Sequence, residues 1–127
     1  MARSGAVQRF EDLLAWQKAR HLTKSVYQIT TAGTLGNDYG LARQLQRAAV
    51  SIMSNIAEGY ERNSPADFHR FLMIAKGSCA EVRSQLYIAL DVAYIDQPTF
   101  QTVFNQAEET ARLIGGLARS VRKRQST

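Results

Sequence analysis

Proline is nearly missing from this chain, and glycine is sparse. Two prolines and eight glycines in 127 residues leave little to break a helix, which favours long helices over many short strands. Cysteine occurs once, at Cys79, so no disulfide can form within the chain. A lone thiol fits a reducing compartment. Apolar runs extend only a few residues, which excludes a transmembrane helix. The opening MARSGAVQRF lacks the apolar stretch of a signal peptide. Together these absences lead us to expect a cytoplasmic protein.

Histidine is scarce too. His21 and His69 are the only two, and neither follows a glutamate by three positions, as the carboxylate di-iron bundles require. One cysteine cannot build a zinc site of paired thiolates. There is no phosphate-binding P-loop and no glycine-rich dinucleotide turn. Cys79 falls on an apolar stripe among small residues, which reads as a core thiol rather than a nucleophile. Trp16 likewise reads as core rather than as a stacking platform. No group of residues can do acid–base or nucleophilic work, so neither enzymatic activity nor a cofactor or metal is expected.

What is present is core and positive charge. Hydrophobic residues make up 45% of the chain, enough to bury a real core. The length suits a single domain spanning 1–127. The formal net charge is +5 and the isoelectric point about 9.7, a balance compatible with nucleic acid or anionic lipid but specific to neither.

Apolar spacing predicts four helices, at about 10–31, 39–62, 65–94 and 97–122. Ala15, Ala19, Leu22, Val26 and Ile29 mark the first stripe, widened by Leu13, Trp16 and Tyr27, with Glu11 and Asp12 in the first turn. The run TTAGTLGNDYG ends that helix and reads as the longest and loosest join. Leu41, Leu45, Ala48, Ile52 and Ile56 mark the second stripe. Ser64, Pro65 and Asp67 form a helix start, after which Phe68, Phe71, Leu72, Ala75, Cys79, Val82, Leu86, Ile88, Ala89 and Val92 follow. Asp96 is a candidate N-cap for the fourth helix, which ends on Arg119, Arg122, Lys123 and Arg124. Helices this long with short joins fold as an antiparallel, up-down-up-down four-helix bundle of the all-α class.

The second and third helices form a hairpin turning near Asn63. Simple register counting pairs Gly59 with Phe68, Asn55 with Leu72, Ser51 with Lys76 and Ala48 with Cys79, and brings Glu58 to His69 or Arg70. Gly59 and Gly77 each cost up to ~1 kcal/mol in a helix interior, so close packing is the expected compensation. Arg47, Ser51, Asn55, Glu58 and Arg62 share one flank, since they are four, four, three and four apart. Asn55 and Glu58 read best as a salt-linked seam or subunit contact. Arg47, Arg70, Lys76 and Arg83 fit that seam and a phosphate-directed surface equally well.

These residues carry a resemblance. Leu41, Gln44, Leu45, Arg47 and Ala48, then Ser54-Asn55-Ile56-Ala57-Glu58-Gly59, then Phe68 and Phe71, then Ala75, Gly77, Ser78 and Glu81 follow a family pattern. The chain resembles the small four-helix bundle proteins encoded in intervening sequences of bacterial large-subunit ribosomal RNA genes. Their relatives include the accessory proteins of diversity-generating retroelements. The likeness runs to about Asp96. It departs at Met53, where the family usually has proline, and in the TTAGTLGNDYG join, which usually contains one; a straighter second helix and a looser join follow. The resemblance implies a cytosolic ring, a homopentamer, that binds nucleic acid through basic surfaces, with a reverse transcriptase as a protein partner.

The first functional expectation is therefore a non-enzymatic nucleic-acid-binding module. Its binding residues would be Arg43, Arg47, Arg70, Lys76 and Arg83, assisted by Arg119, Arg122, Lys123 and Arg124. The second is a ring-forming structural or adaptor protein whose partner is another protein. An anionic-lipid binder is weakest, because no helix pairs a basic face with a free apolar one.

Overall fold

The computed structural model describes residues 6–125, and everything regular among them is helical. A short 3-10 turn, Phe10–Asp12, precedes α1 (Leu14–Thr30). Then come α2 (Gly33–Asn37), α3 (Tyr39–Glu61), α4 (Pro65–Asp91) and α5 (Gln97–Gln125). The four long helices form an antiparallel bundle. Each long helix packs against two others, in the ring order α1, α3, α4, α5.

The bundle closes because the periodic stripes meet on one axis. Ala19, Leu22 and Val26 of α1, Leu45, Ile52 and Ile56 of α3, Leu72, Cys79, Val82 and Leu86 of α4, and Ala107, Ile114 and Val121 of α5 are all fully buried. Removing such apolar surface from water is the main force holding the helices together. Tyr27, Ile88 and Val92, expected on the stripes, are instead exposed. Ile88 is turned about 100° from its buried neighbour Ala89 by the helical pitch, which carries it to the outer side.

Four boundaries differ from expectation, three of them for a plain local reason. Leu13 is extended, with ψ 124°, so Glu11 and Asp12 belong to the preceding turn rather than to the first turn of α1. There Glu11 pairs with Arg9 at 3.1 Å and Asp12 accepts the Gln8 N–H. The join expected to be loose contains α2, pinned because Leu35 is only 1% exposed. Chain termination of α4 falls at Asp91 rather than near Tyr94. Ala93 has φ +63°, Tyr94 N–H donates to Ala89 O at 2.8 Å, and Ala93 N–H donates to Leu90 O at 3.0 Å. That is a Schellman ending with alanine in the left-handed position glycine usually takes. Finally, α5 runs to Gln125, three residues past the expected end at 122.

Caps fix the other joins. Ser64 accepts the Asp67 N–H at 3.3 Å and Asp96 accepts the Thr99 N–H at 2.9 Å. Asp38 does two jobs. One carboxylate oxygen caps α3 by accepting the Leu41 N–H at 3.1 Å, and the other accepts the Tyr94 hydroxyl at 3.0 Å, which raises the phenol pKa. Thr34 of α2 also donates to Tyr94 O at 3.4 Å. The α2–α3 corner and the α4–α5 corner are thus tied together.

Candidate nucleic-acid interface

The α3–α4 seam is built from small and polar residues. Ser51 and Ser78 share a hydroxyl hydrogen bond of 2.8 Å, and Asn55 donates to Ser51 O at 2.8 Å and to its Oγ at 3.0 Å. Gln85 donates to Gln44 at 3.4 Å. The register is shifted from simple counting: Ser51 meets Ser78, not Lys76, and Gly59 meets Phe71 as well as Phe68. A Cβ on Gly59 would stand 2.7 Å from Phe71 Cβ, so this glycine permits the close approach of α4. Gly77 does no such work within the chain. It is exposed, and nothing lies within 4 Å of the place its Cβ would take.

The remaining motif residues line the outside. Ser54, Glu58 and Glu81 are exposed. Glu58 pairs with Arg62 at 3.0 Å rather than with His69 or Arg70. Arg70 pairs with Asp67 at 3.6 Å and lies over the Phe71 ring at 4.6 Å, with Arg62 over the same ring at 5.0 Å. Arg62 and Arg70 are thereby engaged within the chain, by surface pairs worth little individually.

The other expected cations separate into two groups. Arg43 and Arg47 are exposed on α3. Lys76 and Arg83 were expected to face the polar flank of α3, but seven residues of helical pitch place both on the opposite edge of α4, against α5. There they line a groove of about 390 Å³ with Glu108, Ala111, Arg112, Gly115 and Arg119. Arg122, Lys123 and Arg124 continue exposed along the last turns of α5. The expected basic residues therefore do not form one continuous face.

The groove carries four cations against one carboxylate. No acid lies within ion-pair distance of Lys76, Arg83, Arg112 or Arg119 among the described residues. Among the described residues Glu108 is the single carboxylate on its walls. The Arg83 Nε is buried and meets no acceptor among the described residues. The small Gly115 leaves the floor open beneath the ends of Arg119 and Lys76, 3.7 and 3.9 Å from its would-be Cβ. Arg112 was missed in the sequence reading, yet its signal was there. Arg112 and Arg119 are seven apart, as are Lys76 and Arg83, so each pair shares one side of its helix.

Cys79 lies inside the bundle. Burial pushes its thiol pKa up to about 12, against a smaller opposing effect of the Arg83 charge. A thiol so protonated is a poor nucleophile. No three histidine, cysteine, aspartate or glutamate side chains gather as a metal site among the described residues. No helix there is long and apolar enough to cross a membrane.

Residues 11–116 match the family of 23S rRNA-intervening sequence proteins. The chain belongs to that family. The match reaches well into α5, beyond the motifs of α3 and α4. Among solved structures, a protein of unknown function from the S23 ribosomal protein family of Bacteroides thetaiotaomicron VPI-5482 shares 21% identity, with a TM-score of 0.75 over 83% of this chain and 98% of that one. At that identity the likeness bears on the fold. No curated protein matches this chain. Neither the family description nor that of the structural neighbour names a catalytic activity.

Proposed function

We propose that this intervening-sequence protein is a non-enzymatic, cytoplasmic, homo-oligomeric nucleic-acid-binding module. The observation that carries the reading is the α4–α5 groove, where Lys76, Arg83, Arg112 and Arg119 converge with one carboxylate, Glu108, on the walls and no ion pair among the described residues. Cations held together at a cost in mutual repulsion are a fit for phosphates. Arg43, Arg47 and the exposed cations at the end of α5 add charge outside the groove. Among the described residues Arg47 and Arg83 have no ion-pair partner, which favours a polyanion over the adaptor reading.

Oligomerisation is supported by Gly77. A mid-helix glycine with open space around it has no compensation inside one chain, and Ile74, one turn before it, and Ile88, three turns beyond on the same side of α4, are both exposed. The resemblance supports a ring of five. Five copies of a +5 chain would carry ~25 positive charges, and linked sites raise avidity without new contacts. The same resemblance supports a reverse transcriptase as protein partner.

The test is retention of structured RNA and of duplex DNA across a salt series, with mass by light scattering. For contacts from the groove cations, log affinity for duplex should fall with log salt at a slope of roughly −3 to −4 per chain. Absence of any retention at low salt would overturn the reading, and a monomeric mass would remove the oligomer from it.

A further inference from the structure

The groove does not end at Arg83. One helical turn further along α4 is Tyr87, still 49% exposed. Its ring is 5.4 Å from that of Phe104 and 5.1 Å from that of Phe100, and the two phenylalanine rings are themselves stacked at 5.1 Å. Phe104 lies one turn from Glu108 and two turns from Arg112 on α5, so the aromatic cluster abuts the basic groove on both helices. Phe100 is 4% exposed and anchors the cluster in the core. Tyr87 is thus a rigidly backed, half-exposed ring at the end of a row of unpaired cations.

We propose that the α4–α5 groove binds single-stranded nucleic acid, with the phosphodiester backbone along Lys76, Arg83, Arg112 and Arg119 and a base stacked on Tyr87. This rests on the reading of the protein as a nucleic-acid binder and specifies which form it takes. A cationic track beside an exposed aromatic ring is the combination that holds an unpaired strand. Phosphates of a duplex could meet the cations equally well, but its bases are already stacked on each other and cannot use Tyr87. The preference for single strands therefore comes from the tyrosine, and the salt dependence from the cations.

Fluorescence anisotropy with labelled oligo(U), oligo(dT) and a length-matched duplex tests it on the full chain. Single strands should bind more tightly than duplex. Tyr87→Phe should retain that affinity. Tyr87→Leu, which keeps apolar contact with Phe100 and Phe104, should lower single-strand affinity by roughly tenfold, leaving duplex affinity and the salt slope unchanged. Arg83→Gln and Arg112→Gln should each flatten the single-strand slope by about 0.7. Binding to oligo(U) alone or to both oligomers supports the proposal, the first marking RNA. Duplex preference, or full single-strand affinity in Tyr87→Leu, overturns this inference while leaving nucleic-acid binding intact. Failure of every oligonucleotide to bind at low salt overturns both.

Discussion

Gly59 of α3 and Phe71 of α4 are in contact so close that a methyl group on the glycine would sit 2.7 Å from the phenylalanine Cβ. The obstruction is the root of a side chain, not its flexible end, so α4 must shift to relieve it. Gly59→Ala is expected to destabilise the fold by roughly 1–3 kcal/mol, the usual cost of overpacking. Urea unfolding measures it, and an unchanged midpoint would show that the two helices separate freely.

Gly77→Ala has the opposite sign in an isolated chain. With open space around the site, alanine should raise helix stability by up to about 1 kcal/mol. In an assembly packed on this face of α4, the same methyl group should instead reduce the particle mass. Thermal unfolding read beside light scattering separates the two effects, and a gain in stability at full mass would place the interface elsewhere.

Ala93→Gly should stabilise the protein by roughly 0.5–1 kcal/mol. Alanine at φ +63° pays the left-handed penalty, whereas glycine adopts that conformation freely and loses only some unfolded-state entropy in return. Denaturant midpoints check it; a loss would show that the methyl group has a packing role.

Cys79 makes stability depend on pH in the alkaline range. Its folded pKa, about 12, exceeds the ordinary 9.0, so unfolding favours loss of the proton. The sign follows from linkage: this contribution is fully present below about 9 and is lost as pH rises towards 12. Cys79→Ala should weaken the stability decline over that window. At pH 8 the folded thiol should resist a disulfide reagent and react once denaturant is added.

The long helices were legible because three- and four-residue spacings of apolar side chains survive without any knowledge of their neighbours. Ser64 and Asp96 were legible as caps for the same reason, since their chemistry is local. The short α2 was not, because one buried leucine among glycines and threonines has no period. Nor was the end of α4, where alanine stands in a position that glycine normally signals. The α3–α4 register failed by two or three residues since it depends on the geometry of the turn at Asn63, with φ +59°, and on which small residues meet. The groove was half legible. Lys76, Arg83 and Arg119 stand out in the sequence, but which neighbouring helix the α4 cations face depends on the packing, and Arg112 joins them only through its seven-residue step to Arg119.

Asp38 and Tyr94 give one end of the molecule an unusual interdependence. A loop there cannot be shortened, lengthened or exchanged by itself, since the residue that starts one helix also holds the strand of chain leaving another. Engineering of either connection would have to carry both partners across together. A graft that moved only one would loosen two crossings at once.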